Sequence, residues 1–595
     1  INKIYIMLVI LISLFMLGGY FSYAMFTVTK EKSNAISIVT GNLVYDLKVD
    51  GKEGNTLTVP ANTTKEFTVT LSNPNNRIAR FNFYYLGSLP DGVTAGYVVS
   101  DGFNIPMSEV GSNLEKSGTT GSSNTYKIKV TNANDSEVTI NLGVDVGLDY
   151  NDLSLPSNGH LFEEYKAFVS DIVLTNEGEN GGYYDDGEDT FITGSNPNNY
   201  IWYSGKLWRA VSVNNEEKTT KLVTQWNISA ISYDDNSSAF KGSFMEQWLN
   251  DTTVDGFLYN LRDYEKFIVT DYKWNATMMT DNSKPAKTTM VEDPVGLLNY
   301  YEYVTIYKGA SSSTDYLNNE LVWWLITPYN NSYIWRVYNN GVTDYKSTST
   351  VANGVRPTIN LKKEVKTIEG EGTKENPYRL EGDTDKNLNG VKLNTRYSGE
   401  YIRFGMGENN LYRIVSHENG IGTKITSAEP LKSLDTFVTS AFGSNTTFSS
   451  TNTIGNFLNK DYLTNYVDNE HSKMIEDSST WYLGTVGGGE SYKLAKYTST
   501  VDTTVTSNTT AAKVGLLRFG ELMTGQFDMY ENNSYYWILT ANSTSLMRFI
   551  YNDGFSGTYY PTETYGIKPA LNLKSNVIIT SGDGTLQNPF IISLE

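Results

Sequence analysis

GVRPTINL occupies residues 354–361, and GIKPALNL occupies residues 566–573. Other stretches pair in the same order along the chain: LWRAV from 207 with LYRIV from 411, VGLLNYYEY from 295 with VGLLRFGEL from 514, WWLIT from 323 with YWILT from 536, and VYNNG from 337 with IYNDG from 550. Because the order is kept while the spacing drifts by only a few residues, the part of the chain that carries these stretches is predicted to contain one domain twice. We expect the first copy over residues 179–382 and the second over residues 383–595, each with its own core.

The composition of the 595-residue chain favours a β-rich globular protein. Hydrophobic residues make up 39% and charged residues 19%, with 43 Tyr and 50 Gly, a mix that suits strands joined by polar turns. The formal net charge of −19 repels phosphate backbones, so nucleic acid is excluded as a partner. The absence of cysteine excludes thiol chemistry and is typical of secreted proteins that form no disulfides.

The first residues form an uncharged apolar run from Ile4 to Phe26. One interpretation is a signal peptide over residues 1–24, with cleavage between Ala24 and Met25 after small residues. The other is a retained membrane anchor over residues 4–26, because the run is long enough to cross a bilayer. Both interpretations predict an extracellular or cell-surface protein.

Residues 25–178 are predicted to form a β-sandwich of the jelly-roll or immunoglobulin-like kind. Residues 66–74, 125–130 and 137–146 alternate polar and apolar side chains, which is the period of half-buried strands. Such a domain serves as a spacer, or alternatively as an assembly module in which residues 25–37 complete the sheet of a neighbouring molecule.

The stretch from residue 18 to 47, which includes Ala24-Met25-Phe26 and Gly41-Asn42-Leu43, resembles the start of TasA/camelysin-type biofilm-matrix proteins of Gram-positive bacteria. The resemblance covers only about the first fifty residues. It implies export through a dedicated signal peptidase, a β-sandwich after the cleavage point, and fibre assembly by strand donation.

Each repeated copy is predicted to be α+β, with more strand than helix. A strand pair is followed by a short helix, SFMEQWLN in the first copy and TIGNFLNKDYL in the second, and then by VGLL. Later, the aromatic strand leads through Asn340-Gly341 or Asp553-Gly554, which indicate hairpin turns. The opening motif is predicted to be the closing strand, with Gly354 and Gly566 permitting a turn.

This order of motifs resembles the DUF6273-type domains, a family of unassigned function in extracellular proteins of Gram-positive bacteria. The matching stretches are 207–211, 247–250, 323–328 and 354–359 in the first copy, and 411–415, 456–459, 536–541 and 566–571 in the second. The resemblance extends to the C-type-lectin-like fold of formylglycine-generating enzymes, but the cysteines of those oxidases are absent here. Ile326 and Leu539 stand where the family has Arg, and Thr327 and Thr540 where it has Ser, which puts a pocket built on that Arg in doubt.

Aromatic and cationic residues of these motifs are the candidates for ligand binding. Adjacent strand residues point to opposite faces, so one of Trp323 and Trp324 is a candidate for surface recognition, although packing in the core is the favoured role. Tyr536 and Trp537 are their counterparts in the second copy. Arg356 and Lys568 contact either a ligand or local carbonyl groups, and the exchange of Arg for Lys favours the structural role.

Metal binding has little support in the sequence. His160, His417 and His471 stand in no zinc motif. Residues 383–390 and 183–189 carry acidic side chains that could hold calcium, although both also read as polar linkers. We therefore expect no cofactor, with calcium as the one ion to test.

Together these features predict a secreted or cell-surface structural or adhesion protein, and not an enzyme. Its two lectin-like domains would bind glycan or protein ligands on a host or neighbouring cell. One alternative is a biofilm-matrix fibre subunit that self-assembles by donor-strand exchange through the segment after Ala24. Another is a glycan-active hydrolase or metallopeptidase, for which the sequence shows no catalytic pairing.

Overall fold

The computed structural model describes residues 36–40, 43–98, 112–148, 153, 155–175, 177–307, 315–349, 352–383, 387–417, 422–487, 509–525 and 534–595. The chain divides into two compact units, with the boundary between Phe168 and Val169. The apolar run, the cleavage point after Ala24 and the Gly41-Asn42 dipeptide lie outside the described residues. Within the described ranges, no helix is both long enough and apolar enough to cross a membrane.

The first unit consists of two antiparallel sheets. Its strands are β1 Ile36–Thr40, β2 Leu43–Val49, β3 Lys52–Glu53, β4 Thr56–Val59, β5 Thr63–Ser72, β6 Ala79–Leu86, β7 Val93–Tyr97, β8 Ser112–Leu114, β9 Ser123–Asn132, β10 Val138–Gly147 and β11 Gly159–Leu161. One sheet has the order β1-β2-β5-β9-β7, with β3 on β2, and the other has the order β11-β6-β10-β4, with β8 on β6.

The core of the first unit lies between these sheets. In β5 the side chains of Phe67, Val69 and Leu71 are buried in alternation with more exposed neighbours, as period-two patterning predicts. Phe81 of one sheet meets Tyr126 of the other edge-on, with ring centroids 5.5 Å apart. The sequence prediction of a sandwich rich in β-strand is thus confirmed.

The first repeated copy contributes fifteen strands to the second unit. They are β12 Gly181–Asp185, β13 Asp189–Gly194, β14 Tyr200–Tyr203, β15 Lys206–Asn214, β16 Thr220–Thr224, β17 Ser229–Ser232, β18 Lys273–Asn275, β19 Met290–Glu292, β20 Trp323–Asn330, β21 Tyr333–Val337, β22 Thr343–Ser347, β23 Ala352–Val355, β24 Thr358–Leu361, β25 Thr367–Glu369 and β26 Tyr378–Leu380. Helices span Val169–Thr175, Phe244–Leu249, Leu258–Asn260, Tyr264–Phe267 and Tyr300–Ile306.

The second repeated copy contributes sixteen strands. They are β27 Tyr401–Arg403, β28 Leu411–Ser416, β29 Thr423–Ser427, β30 Lys432–Ser433, β31 Thr436–Phe437, β32 Thr439–Ala441, β33 Ser479–Tyr482, β34 Thr509–Ala512, β35 Val514–Leu516, β36 Tyr536–Ala541, β37 Met547–Ile550, β38 Ser556–Tyr559, β39 Thr564–Gly566, β40 Pro569–Leu573, β41 Val577–Ser581 and β42 Ile591–Leu594. Helical turns span Leu393–Thr395, Gly407–Asn409, Thr453–Asn456, Phe457–Tyr462, Leu463–Asn465 and Asn469–Met474.

The two copies repeat the same strand pairings. The order β14-β15-β16-β24 of the first copy corresponds to β27-β28-β29-β40 of the second. The order β22-β21-β20-β23-β17 likewise corresponds to β38-β37-β36-β39-β32. The predicted hairpin turns are confirmed, because Gly341 joins β21 to β22 and Gly554 joins β37 to β38, both with positive φ.

The copies meet head to tail. Ala352 of β23 pairs with Ser556 of β38, although the counterpart of β38 in the first copy is β22. The backbone N–H of Val322 also donates to the Asp553 carbonyl at 2.7 Å, so the second copy's hairpin turn lies against the first copy. The two contact surfaces are therefore different ones, and both copies share one hydrophobic core.

The opening motif is not a single closing strand, which corrects the sequence prediction. Gly354 and Val355 end β23 (Ala352–Val355) in one sheet, and residues 358–361 form β24 in another. Gly354 and Gly566 lie inside strands rather than at turns. A Cβ at Gly354 would collide with the Asn227 side chain, so glycine is required there for close approach of the backbone.

Candidate functional site: a polar cleft in the first copy

A buried lysine–glutamate pair occupies the same place in both copies. In the first copy, Lys221 of β16 pairs with Glu302 of the helix Tyr300–Ile306. In the second, Lys424 Nζ of β29 lies 2.6 Å from Glu521 Oε1. All four side chains are less than a tenth exposed, so each charge depends on its partner for stabilisation.

The glutamate of each pair is fixed by the backbone that follows VGLL. Glu302 Oε2 accepts the N–H of Asn299 at 2.8 Å, and Glu521 Oε2 accepts the N–H of Arg518 at 2.8 Å. In the first copy this contact completes a capping box at the start of the helix. In both copies, the VGLL-x-x-x-Glu spacing thus places the glutamate carboxylate beside the buried lysine.

A tryptophan ring packs against the side chain of each lysine. Lys221 Nζ lies 5.6 Å from the ring centre of Trp274, and Lys424 Nζ lies 5.0 Å from that of Trp481. The indole N–H groups donate to the carbonyls of Asp293 at 2.8 Å and Ala512 at 2.9 Å. These cation–π contacts help to hold a charge in an interior site.

The second residue of VGLL is glycine in both copies because the tryptophan ring leaves no room for a side chain there. A Cβ on Gly296 would collide with the Trp274 ring, and a Cβ on Gly515 would lie 2.6 Å from Trp481. An asparagine of the preceding helix holds the same segment, because Asn250 exchanges two hydrogen bonds with Val295, at 2.9 and 3.0 Å. The predicted helix motif therefore positions the glutamate.

Ionisation of both pairs is maintained despite burial. Burial opposes the charge on Lys221, but the Glu302 carboxylate outweighs it and the pKa of Lys221 is raised. Burial likewise opposes ionisation of Glu521, whereas Lys424 and Arg518 hold the pKa of Glu521 below its ordinary value. Lys221 and Glu521 are thus charged at neutral pH.

In the part of the chain that the structure describes, the first-copy pair opens onto a cleft with a volume of about 80 Å³. Asp186, Glu188 and Asp189 line it from the β12–β13 hairpin, and Tyr301 and Glu302 line it from the helix. Further lining residues come from β18 and the loop after it: Tyr272, Lys273, Trp274, Asn275, Lys284 and Lys287.

The β12–β13 hairpin is what distinguishes the first copy. In the second copy, residues 387–400 form helical turns and bends in place of such a hairpin. There Arg396 Nη2 pairs with Glu400 Oε1 at 2.6 Å. The wall of carboxylates is consequently a feature of the first copy alone within these residues.

Acidic and basic groups alternate around the cleft mouth. Asp186 accepts a hydrogen bond from the Tyr301 hydroxyl at 3.0 Å and contacts Lys284 Nζ at 2.8 Å. Burial raises the pKa of Asp186, but backbone N–H groups and Lys284 outweigh burial and lower it overall. Lys287 pairs with Glu188, so the β18–β19 loop is fastened to the hairpin by two exposed lysines.

Asp189 is the deepest of the three hairpin carboxylates. Its side chain accepts a hydrogen bond from Asn214 Nδ2 at 3.1 Å. Burial raises the pKa of Asp189, while Lys221 partly counteracts that rise. The cleft thus combines carboxylate acceptors, ammonium donors and a phenolic hydroxyl within one recess.

The aromatic ligand candidates are all buried, which corrects their assignment as candidate ligand contacts and agrees with the packing role favoured from the sequence. Trp323, Trp324, Tyr536 and Trp537 are each at most 1% exposed. The Trp324 indole donates to the Ile231 carbonyl at 3.0 Å, and the Trp537 indole donates to that of Ser440 at 2.9 Å. Both faces of the aromatic strand are covered, because Trp323 packs on Tyr303 on its other side.

The cationic candidates are buried as well and contact backbone carbonyls. Arg356 donates to the carbonyls of Thr224 at 2.8 Å and Leu317 at 2.7 Å. Its guanidinium also lies 4.5 Å from the ring centre of Trp323, and burial lowers the pKa of Arg356 to about 9. Lys568 donates to the Met523 carbonyl at 3.4 Å. These contacts to backbone carbonyls match the structural role that the sequence favoured for Arg356 and Lys568.

The two acidic stretches considered for calcium have other partners. In residues 183–189, Asp185 accepts the N–H of Gly187 and Asp186 contacts Lys284, both at 2.8 Å. Asp383 is buried, which raises its pKa to about 7, and residues 384–386 lie outside the described part. No group of three or more His, Asp or Glu side chains is arranged to hold a metal within the described ranges.

The chain matches no family model, no curated protein and no solved structure.

The lysine–glutamate pairs were missed from the sequence, although both glutamates stand in the repeated VGLL stretches. Lys221 and Lys424 also stand at matching positions of the strand that follows each LWRAV-type segment. A lysine that follows a threonine at the same position of both copies is the signal that could have indicated them. Their mutual contact could not be predicted, because 81 residues separate the partners in the first copy and 97 in the second.

Proposed function

We propose that this chain is a secreted or cell-surface adhesion protein whose first repeated copy binds a glycan in the polar cleft. The cleft is the observation that carries the proposal, because it brings hydrogen-bond donors and acceptors together in one recess of the first copy. The uncharged N-terminal run and the absence of cysteine support an extracellular location.

The charges that line the cleft are balanced. Four carboxylates face four ammonium groups: Asp186, Glu188, Asp189 and Glu302 against Lys221, Lys273, Lys284 and Lys287. A balanced surface favours neither an anionic nor a cationic ligand. It suits a neutral ligand with many hydroxyl groups, since each hydroxyl can both donate and accept.

Binding without turnover fits the state of two of these four carboxylates, whereas burial raises the pKa of Asp189. Asp186 and Glu188 are each held in the ionised state by lysines, and their pKa values are lowered. Groups fixed in one ionisation state are suited to recognition, whereas a general acid needs a pKa near the working pH. We therefore propose a binding role for the cleft.

Removal of cleft ammonium groups is expected to weaken glycan binding. The full chain is screened on an array of neutral glycans, and the affinity for the best one is measured by calorimetry. The Lys273→Ala/Lys287→Ala variant should bind about a hundredfold more weakly, because each of the two lost charged hydrogen bonds contributes about 1.5 kcal/mol.

The matched control removes two exposed lysines from the second copy, as Lys460→Ala/Lys473→Ala. Affinity should be unchanged in this variant, which has the same net charge as the cleft variant. Equal losses in both variants would reveal a nonspecific charge effect and contradict a glycan site in the cleft.

Fibre assembly is the second candidate function, and the position of β1 favours it. Residues 36–40 form an edge strand that pairs only with β2 in the described part of its sheet. An edge strand close to the start of the mature chain is suited to exchange between molecules.

The mature N-terminus tests this alternative. Mass spectrometry of the native extracellular protein should find a chain that starts at Met25, and electron microscopy of the same sample should show filaments. A chain that keeps residues 1–24 and forms no filaments would contradict fibre assembly but leave the cleft proposal intact.

A further inference from the structure

Five aromatic side chains form a continuous row on one face of the strands β20, β21 and β22. We call this row the aromatic ladder; it comprises Tyr300, Trp335, Tyr329, Tyr345 and Tyr333. The rings of Tyr300 and Trp335 are stacked with centroids 4.1 Å apart and planes within 4°. Those of Tyr329 and Tyr345 are stacked at 3.7 Å and within 3°.

Edge-to-face contacts join the stacked pairs into one surface. Trp335 meets Tyr329 at 5.4 Å and Tyr345 at 5.7 Å, both close to perpendicular. Tyr333 meets Tyr345 at 5.9 Å with an interplanar angle of 86°. The outer rings are open to solvent, because Tyr333 is 40% exposed and Tyr345 is 42% exposed.

The second copy shows that the fold does not require this ladder. The counterparts of Tyr329, Tyr333, Trp335 and Tyr345 are Asn542, Leu546, Arg548 and Thr558, as the matching strand registers indicate. Only Tyr300 has an aromatic counterpart, Phe519, on which Arg548 packs at 4.4 Å. Since the same sheet forms without the other four rings, packing alone does not account for them.

The ladder begins where the cleft ends. Tyr300 is the first residue of the helix whose next residue, Tyr301, lines the cleft. The Trp335 indole donates to the Met279 carbonyl at 2.8 Å, in the same β18–β19 loop that carries Lys284 and Lys287 to the cleft mouth. Cleft and ladder are therefore adjoining parts of one surface of the first copy.

We propose that the aromatic ladder extends the cleft into a binding surface for a linear, uncharged polysaccharide chain. This inference rests on the proposed function, and it names the ligand class. The face of an aromatic ring attracts the weakly positive C–H groups on the face of a pyranose ring. The phenol hydroxyls offer hydrogen bonds to sugar hydroxyls, and none of the five side chains carries a charge.

The ladder makes affinity depend on the length of the glycan. The cleft is small, so a disaccharide is expected to bind at its mouth without contacting the exposed tyrosines, whereas a hexasaccharide is expected to contact them as well. The longer ligand is thus expected to bind more tightly to the full chain. The gain should come from Tyr333 and Tyr345, which are the most exposed rings of the ladder.

The test measures binding of β-1,4-linked glucose and N-acetylglucosamine, each as disaccharide and hexasaccharide, to the full chain. The Tyr333→Ala/Tyr345→Ala variant should lose about tenfold in hexasaccharide affinity and nothing in disaccharide affinity. Tryptophan fluorescence supplies a second readout, because hexasaccharide binding should alter the emission of Trp335. The control is Tyr559→Ala/Tyr560→Ala, which removes two exposed tyrosines from the second copy.

The outcomes separate the ladder from the cleft. Length-independent affinity that only the Lys273→Ala/Lys287→Ala variant lowers would overturn the ladder and leave the cleft proposal standing. Loss in the ladder variant with no effect of the cleft variant would instead overturn the cleft. Binding of none of these glycans, or self-association of the chain that depends on Tyr333 and Tyr345, would overturn the ladder as a glycan surface.

Discussion

Replacing Glu521 by Gln is expected to lower the free energy of unfolding by about 3–5 kcal/mol at neutral pH. The substitution keeps the shape of the side chain but leaves the Lys424 ammonium group buried without its carboxylate. Arg518, whose Nη2 lies 3.6 Å from Glu521 Oε1, would lose the same partner. Urea denaturation followed by tryptophan fluorescence measures the loss.

The pH dependence of this loss follows from the direction of the Glu521 pKa. The pKa is lowered from 4.5 in the folded chain, so the carboxylate stabilises the fold above that pH. The contribution disappears as the pH falls through the lowered folded pKa. The difference between wild type and Glu521→Gln should therefore shrink below about pH 4.5.

A surface pair provides the control for Glu521. Glu470 and Lys473 form an exposed ion pair at 3.0 Å, so Glu470→Gln should change the free energy of unfolding by less than about 0.5 kcal/mol. Equal effects of both substitutions would contradict the structural role that we assign to the buried pair.

Replacing Trp324 by Ala is expected to cost about 3–5 kcal/mol of unfolding free energy, the second large effect. The side chain is fully buried and its indole N–H donates to the Ile231 carbonyl, so the substitution creates a cavity and removes a hydrogen bond. Thermal and urea denaturation measure this loss, and binding of glycans at low temperature should persist in the folded fraction.

Tyr333→Ala is the comparison for Trp324→Ala on the same sheet. Tyr333 is 40% exposed, so its removal should cost less than about 1 kcal/mol. A small loss for Trp324→Ala, together with lost glycan binding, would contradict the packing role and restore Trp324 as a recognition residue.

The sequence predicted those features of the fold that depend on local patterns. Alternating side chains in residues 66–74 marked β5, and Asn340-Gly341 marked the turn between β21 and β22. The repeated motifs also predicted two copies with matching elements. These signals are local because strand period and turn conformation are set by neighbouring residues.

Features that depend on distant contacts could not be predicted in the same way. Alternation implied that Trp323 and Trp324 face opposite sides of a strand, but a further layer covers each side. The break at Arg356-Pro357, which moves the chain from one sheet to another, leaves no periodic signal. Because this break has no periodic signal, the sequence predicts the opening motif as one strand.

The sequence predicted the class of ligand, a glycan or a protein, but not the residues that form the candidate site. The tryptophans that stand out in the sequence are core residues, whereas the exposed tyrosines 333 and 345 belong to a composition rich in tyrosine. Residues 183–189 are typical of an acidic linker, yet Asp186, Glu188 and Asp189 form one wall of the cleft through the β12–β13 hairpin. Comparison of the two copies, residue by residue, is what distinguishes the ladder positions.

Hydroxyl-radical footprinting of the full chain with and without a bound β-1,4-linked hexasaccharide tests glycan binding by the first copy most directly. We predict protection of Tyr272 and Tyr301 in the cleft and of Tyr333 and Tyr345 in the ladder, with Tyr559 and Tyr560 of the second copy unchanged. Protection confined to the second copy, or none at Tyr272 and Tyr301, would contradict the assignment of the glycan site to the first copy.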